Sequence, residues 1–516
     1  MLEELDLSKK LSKEEYKDKI DTLYKKAGKL QRQAKELNIP IIILFEGWDA
    51  AGKGTLINKL IHPIDPRGFK HYLTKRPNEE EKRHPFLWRF WRKIPERGQI
   101  AIMNRSWYQR VVEEFVEYEV PEQDWAFSYK DINFFEKQLV NDNYLILKFF
   151  LHISKEEQKK RFLNLSKNKA TSWRVNKEDW KHHHQYQLYL HYYNRMIDET
   201  DKDYASWEII EAENHEYATL KIFKYFVDSV ENKIQEVKEV INISKAEDEI
   251  EENTRANDDT LSKKITSDIQ RIYIPSALDK IDLSKEIAKD SYKAKVKEYQ
   301  EKIRNLQHKL YRDRLALVIV YEGWDGAGKG GNIRRLTEMM DPRGYQVFPV
   351  AAPSEVEKSY HYLWRFWQVM PKAGHITIFD RSWYGRVLVE RIEGFCAKND
   401  WQRAYQEINE MEEQLYHFGT VIIKFWLHID KDTQLKRFED RKNNPNKRWK
   451  LTEEDWRNRE KWDQYKIAID EMIDRTSTKI APWTIVEANS KHYARIKVME
   501  TIIARLEEKL NSLYYK

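Results

Sequence analysis

Residues 276 positions apart match from one end of this 516-residue chain to the other. DLSKK from Asp6 pairs with DLSKE from Asp282, and GWDAAGKG from Gly47 pairs with GWDGAGKG from Gly323. DPRGF from Asp65 pairs with DPRGY from Asp341, LWRFW from Leu87 with LWRFW from Leu363, and RSWY from Arg105 with RSWY from Arg381. A constant offset without slippage means two copies of one fold, a repeat on the scale of a domain. The chain is also longer than one hydrophobic core serves. The boundaries read as a first domain over 1–232, a polar linker over 233–276 and a second domain over 277–516. The linker's polar composition fits either a solvated helix or a flexible tether.

Within each copy, short β-branched runs alternate with charged amphipathic stretches. In the second copy the spacing predicts strands over 315–322 (LALVIVYE), 375–380 (HITIFD), 420–429 (TVIIKFWLHI) and 483–488 (WTIVEA). Strands alternating with helices predict an α/β fold, a parallel sheet covered on both faces.

The glycine-rich stretch follows the first of these strands. Gly323, Gly328 and Lys329 stand where G-x-x-x-x-G-K requires them, and a helical pattern follows. Such a loop turns successive backbone N–H groups toward a phosphate, with the helix N-terminus and the lysine adding positive charge. Gly323, Gly326, Ala327, Gly328, Lys329 and Gly330 are therefore the expected phosphate cradle. The Ser or Thr that usually closes this motif and holds Mg²⁺ is Gly330 here, and Gly54 in the first copy. A metal would need other oxygens, and Mg²⁺ accepts one or two carboxylates with water and phosphate. Asp325, inside the loop, and Asp380, closing the run HITIFD, are the candidates, with Arg381 beside them.

GWDGAGKG, DPRGY, LWRFW, FDRSWYGR and the basic segment ending KRWK-LTEEDW together resemble the polyphosphate kinase 2 family, and the duplication resembles its fused members. The resemblance implies two tandem P-loop kinase domains of thymidylate-kinase type with a helical lid. It implies Mg²⁺-dependent phosphoryl transfer, with Mn²⁺ as a possible substitute, from inorganic polyphosphate to AMP, giving ADP in a reversible reaction. Asp325, Lys329, Asp380 and Arg381 would carry the chemistry. A polyanion of about one charge per phosphate needs a cationic track, and Arg386, Arg437, Arg441, Lys447, Arg448 and Lys450 are expected to line it. Asp341, Arg343 and Arg391 are expected to face the nucleotide. Within enzymes, phosphorylation of nucleoside diphosphates by polyphosphate and an ATP-dependent nucleoside monophosphate kinase remain open. Outside enzymes, a polyanion- or nucleic-acid-binding protein with a dead loop remains open, and an intact Asp325, Lys329, Asp380 and Arg381 set argues against it.

The two copies differ where chemistry is expected. Asp380 corresponds to Asn104, Gly385 to Gln109, Arg391 to Phe115, Arg441 to Leu165, Lys447 to Thr171 and Arg448 to Ser172. An amide brings no negative charge to a metal. The second copy is thus expected to be catalytic and the first to be a scaffold. LWRFW reads as core with one buried arginine in each copy, Asp341-Pro342-Arg343-Gly344 as a turn, and His182–His184 as surface, since three adjacent helical residues cannot face one ion. A net charge of +6 suggests an anionic partner. One cysteine, Cys396, excludes an internal disulfide framework. With no apolar run long enough to cross a bilayer, the expectation is a cytoplasmic protein, without membrane or nucleic-acid partners, that assembles into homo-oligomers.

Overall fold

The apolar runs of both copies become strands with almost no exposed surface. In the computed structural model, which describes residues 1–118, 122–257 and 276–514, each copy holds one five-stranded sheet. The first contains β1 (Ile41–Gly47), β2 (Phe69–Leu73), β3 (Ile100–Asn104), β4 (Leu145–His152) and β5 (Trp207–Glu211) in the order β2-β3-β1-β4-β5. The second contains β6 (Leu317–Gly323), β7 (Tyr345–Pro349), β8 (Ile376–Asp380), β9 (Val421–His428) and β10 (Trp483–Glu487) in the equivalent order β7-β8-β6-β9-β10. Every pairing is parallel, with Leu317 opposite both Ile376 and Val421. The sheet therefore continues in opposite directions on the two sides of β6, and such a switch point opens a crevice at the carboxyl ends of the strands.

The four strands expected in the second copy are present, with ends that differ by one or two residues; the first starts two residues later and runs one further, to Gly323. The sequence reading missed β7. This edge strand is half-buried or exposed along its length and ends in Pro349, so it offers no apolar run to read. Among described residues, the helix His215–Asn257 continues into the expected linker, whose remainder, 258–275, lies outside the described residues. Of the described residues, one compact unit draws on 1–77, 89–257 and 355–361, and the other on 78–88, 276–354 and 362–514. LWRFW of the second copy forms the short helix Trp364–Trp367 with Phe366 and Trp367 in the core, and Arg365 donates to the Ala351 carbonyl at 2.8 Å. Asp341 caps the 3₁₀ turn Pro342–Gly344 as the sequence suggests.

Two buried polar arrangements recur in both copies. In the second, Trp324 stacks on Trp462 at 3.6 Å and donates its indole N–H to His428 Nδ1 at 3.1 Å. In the first, Trp48 stacks on Tyr186 at 3.8 Å and donates to His152 Nδ1 at 2.9 Å. The other arrangement places a lysine in the middle of an apolar strand. Lys424, fully buried, donates to Glu412 at 2.7 Å, to the Tyr384 hydroxyl at 2.8 Å and to the Thr476 carbonyl at 2.8 Å. Tyr384 and Trp383 also donate to Glu412, at 2.7 and 3.3 Å. Lys148, Glu136, Tyr108 and Trp107 repeat the arrangement in the first copy. A buried charge left without its partner is strongly destabilising. Glu412→Ala is therefore expected to lower stability by about 3–5 kcal/mol, measured as a shifted unfolding transition in urea.

Burial holds His152 and His428 at about 4, against 6.5 for an exposed imidazole. The unfolded chain then takes up a proton on each histidine before the folded chain does, so stability is lost as pH falls from 6.5 toward 4. The loss approaches about 3 kcal/mol per histidine. His428→Gln is expected to remove part of the stability lost between pH 6.5 and 4, measured as a shallower fall, or steeper rise, of the thermal midpoint on acidification than in the unaltered chain.

Candidate active site

The loop after β6 depends on glycine at the positions where its backbone turns. Gly323 has φ +148°, and a Cβ there would lie 2.6 Å from the Leu427 carbonyl oxygen; Gly326 and Gly328 have φ of +84° and +103°. Gly328 leads directly into the helix Lys329–Thr337, so the loop's N–H groups and the helix N-terminus share one concavity. Lys329 Nζ donates to the Gly323 carbonyl at 2.7 Å.

The lid helices hold this loop from the side. Gln434 on the helix Lys431–Asn443 donates to the Asp325 carbonyl at 2.9 Å. Arg437 on the same helix donates to the carbonyls of Gly326 and Ala327 at 2.9 and 3.1 Å, and to those of Ala488 and Asn489 at 2.7 and 2.9 Å. From the helix Glu453–Glu460, Asn458 donates to Asp325 Oδ2 at 3.0 Å. Arg437 is thus committed to backbone oxygens and shapes the loop rather than standing open toward a track. Asn458 and Gln434 escaped the sequence reading. Their signal was available, because they fall on the lid segment, but nothing local marks which polar residue turns inward.

Arg381 stands at the end of β8 with φ +65°, a conformation costly for a residue with a side chain. Its N–H donates to the Tyr321 carbonyl at 3.0 Å, and Ser382 donates to Glu322 at 2.8 Å. This bend sends the Arg381 guanidinium to Asp325 Oδ1 at 2.9 Å, while its side chain remains 46% exposed. Burial opposes the charge of Asp325, but Lys329, Arg381 and Asn458 together hold its carboxyl below the ordinary value. Burial pushes Glu322 up, against the opposing pull of Lys329 and Ser382. A Cβ at Gly330 would lie 3.9 Å from Asp380 Oδ2, so the position that usually carries a Ser or Thr faces Asp380. Among described residues no group of three His, Cys, Asp or Glu side chains forms a complete metal cage. Two carboxylates at a phosphate loop are nevertheless the donor set that Mg²⁺ uses with water and phosphate oxygens.

Beside this centre lies an open cleft walled by Glu322, Gly323, Trp324, Asp325, Arg381, Gly385, Leu388, Val389, Trp426, Gln434, Glu454, Asn458, Tyr465 and Ile469. It brings together Gly323, Asp325 and Arg381 from the expected site. Arg386 and Arg391 are not among its walls. Arg386 pairs with Glu390 at 3.1 Å and lies over the Tyr362 ring, and Arg391 pairs with Glu471 at 2.7 Å over Trp401. Asp341 and Arg343 are also absent from the walls and bond each other, Oδ2 to Nη2, at 2.7 Å.

Arg441, Lys447, Arg448 and Lys450 follow the lid helix, and none of them pairs with a carboxylate among the described residues. Lys491, at the start of the helix Lys491–Tyr514, joins this group. Burial, Arg437 and Lys447 push its ammonium below the ordinary value, with Arg495 adding to the effect. Asp440 opposes that shift only in part, and a cluster in which cations outweigh their counter-charges attracts a polyanion.

The first copy repeats the frame with other occupants. Ala50 takes the place of Gly326 at φ +61°, and Arg105 bends at φ +61°. Arg105 bonds Asp49 at 2.5 Å and also Glu113 at 3.1 Å, where the second copy has Val389. The expectation of a surface histidine cluster is corrected here. His182 Nδ1 lies 3.2 Å from Asp49 Oδ2 and its Nε2 lies 3.3 Å from Glu117 Oε1, while His183 is buried against Gln158 at 2.8 Å. The helix Lys177–His184 packs its inner face onto the loop, so two of the three rings point inward. Only His184 of the three is exposed.

A sequence profile for polyphosphate kinase 2 matches residues 10–238 and 286–513. The chain is 40% identical over 512 residues to a polyphosphate:AMP phosphotransferase of Pseudomonas aeruginosa, covering 98% of this chain and 99% of that one. It is 34% identical to a polyphosphate:AMP phosphotransferase of Acinetobacter johnsonii, covering 92% of each. A crystal structure of a polyphosphate kinase 2 from Pseudomonas aeruginosa PA01 superposes with a TM-score of 0.83 at 38% identity, covering 99% of both chains. With both copies matched and the phosphate loop, the bent arginine and the lid in their places, the chain belongs to the polyphosphate kinase 2 family.

Proposed function

We propose that the protein transfers the terminal phosphoryl group of inorganic polyphosphate to AMP, and that the second repeat performs the transfer. The observation that carries the reading is that this repeat alone has a carboxylate at both positions, Asp325 on the cleft wall bonded to Arg381 and Asp380 facing Gly330 of the loop, with lid cations that have no carboxylate partner among the described residues. The nearly full-length similarity to polyphosphate:AMP phosphotransferases supports the choice of donor and acceptor.

In this reaction an AMP phosphate oxygen attacks the terminal phosphorus of polyphosphate. The bond from that phosphorus to its bridging oxygen breaks, and the products are ADP and a chain one phosphate shorter. Little covalent help is needed, since phosphoryl transfer depends on positioning and on neutralising spread charge. The loop N–H groups of Gly326 to Gly330 hold phosphate oxygens at the cleft floor. Lys329 exchanges its Gly323 carbonyl for phosphate. Arg381, fixed by its bend and by Asp325, offers its exposed guanidinium edge to charge at the reacting phosphorus. Arg441, Lys447, Arg448, Lys450 and Lys491 hold the remaining donor chain. The apolar cleft wall of Trp324, Leu388, Val389 and Ile469 suits the nucleoside. Asp325 and Asp380 would hold Mg²⁺, which supplies neutralisation of phosphate oxygens when bound.

With AMP and Mg²⁺, ADP is expected to form with polyphosphate and not with ATP, as read by separating the nucleotides by chromatography. ADP from ATP alone would place the chain among ordinary nucleotide kinases. Lys329→Ala is expected to lower kcat about 10²–10³-fold, and Asp380→Asn more than about tenfold, whereas Lys53→Ala in the first repeat is expected to leave kcat within about twofold. The reverse ranking in the same assay would assign the chemistry to the first repeat.

A further inference from the structure

The first repeat keeps a phosphate loop, a lysine and a bent arginine, yet these groups face carboxylates of their own chain. Arg105 donates to Asp49 at 2.5 Å and to Glu113, whose two oxygens lie 3.1 and 3.3 Å away. Gln109 donates to the same Glu113 carboxylate at 3.2 Å. Lys53, buried, donates to the carbonyls of Gly47 and Trp48 at 2.6 and 2.9 Å.

Position by position, the second repeat has Gly385 for Gln109 and Val389 for Glu113, and both of those residues line its open cleft. The two exchanges put an amide and a carboxylate where the second repeat has space. The arginine responds as expected for an occupied group: the Arg105 side chain is 27% exposed and that of Arg381 is 46%. Burial opposes the charge of Asp49, but Arg105, His182 and Lys53 outweigh it and hold the carboxyl below its ordinary value, whereas burial pushes that of Glu113 up against the pull of Arg105. By geometry one guanidinium serves two carboxyl partners in the first repeat. In the second repeat Arg381 serves Asp325.

We propose that the first repeat is a masked oxyanion site, in which the Glu113 carboxylate occupies the edge of Arg105 that a phosphate oxygen would otherwise take. The inference rests on the reading given above for Arg381 in the second repeat. A carboxylate carried on the same chain competes at an effective concentration far above that of a free anion. Phosphate and polyphosphate are therefore excluded by occupancy, and the loop that would cradle them remains built. The ligand class uncovered by removing Glu113 is inorganic phosphate or short polyphosphate.

The test is a calorimetric titration of the full chain with tripolyphosphate, without nucleotide. The wild-type chain is expected to bind one equivalent, at the second repeat. Gln109→Gly with Glu113→Val is expected to bind two, the second at least about tenfold more tightly than the wild-type first repeat does, and Lys53→Ala in that background is expected to remove it. Glu113→Gln, which keeps the shape and removes the charge, is the second variant should the double exchange unfold the chain, and it too is expected to add an equivalent. A single equivalent in every folded variant would overturn the masked site, as would two equivalents in the wild type. Failure of Lys329→Ala to abolish the wild-type equivalent would instead overturn the reading of the second repeat, so the two failures are distinguishable.

Discussion

Lys424 and Glu412 have no exposed surface, and neither belongs to the site, yet the site's geometry descends from their contact. Glu412 accepts from Lys424, Trp383 and Tyr384 together, which locks the residues immediately after the bent Arg381. A buried ion pair is poor evidence of added stability, because desolvation offsets much of the attraction. Its effect here is geometric. The side chains of Trp383 and Tyr384 are held from below, beside the left-handed Arg381, whose guanidinium bonds Asp325. The same pair in the first repeat, Lys148 with Glu136, delivers Arg105 to Asp49.

That shared frame separates architecture from chemistry within one chain. Both repeats bend at the same arginine, stack the loop tryptophan on an aromatic ring and clamp the loop by an arginine of the lid helix, Arg161 or Arg437. What differs is a handful of side chains on the cleft wall and around the loop: Asn104 for Asp380, Gln109 for Gly385, Glu113 for Val389 and His182 for Asn458. None of these changes disturbs the sheet. Each alters charge or volume next to the loop aspartate, where the surroundings are largely shielded from water and electrostatic effects are strong.

The lid cations divide in a similar way. Arg437 and its counterpart Arg161 direct their terminal guanidinium N–H groups to backbone carbonyls of the loop and of the segment after the last strand, with Arg161 Nε also on Glu157, so they are part of the scaffold. Arg441, Lys447 and Arg448 have no carboxylate partners, and the first repeat replaces them with Leu165, Thr171 and Ser172. Cations that serve the fold persist in both repeats. Arg441, Lys447 and Arg448, proposed above to hold the donor chain, occur in the second repeat alone.

By itself the sequence determined the duplication, the parallel α/β class, four of the five strands of the second repeat and the phosphate loop, because each is written in local spacing: a constant offset, β-branched runs, and glycines at turns only glycine adopts easily. It also exposed the exchange of Asp380 for Asn104. The edge strand β7 was illegible, since its pattern carries no buried face. So was the division of labour among polar residues of one type, which depends on which neighbours share a side chain's surroundings after folding. Arg437 against Arg441, Asn458 turned onto Asp325, Lys491 gathered to the lid cations, and His182 drawn into the first repeat's loop are all contacts between segments tens to more than a hundred residues apart. Only the tertiary structure, by bringing those segments to one crevice, decided which of them are scaffold, which face the cleft and which neutralise one another.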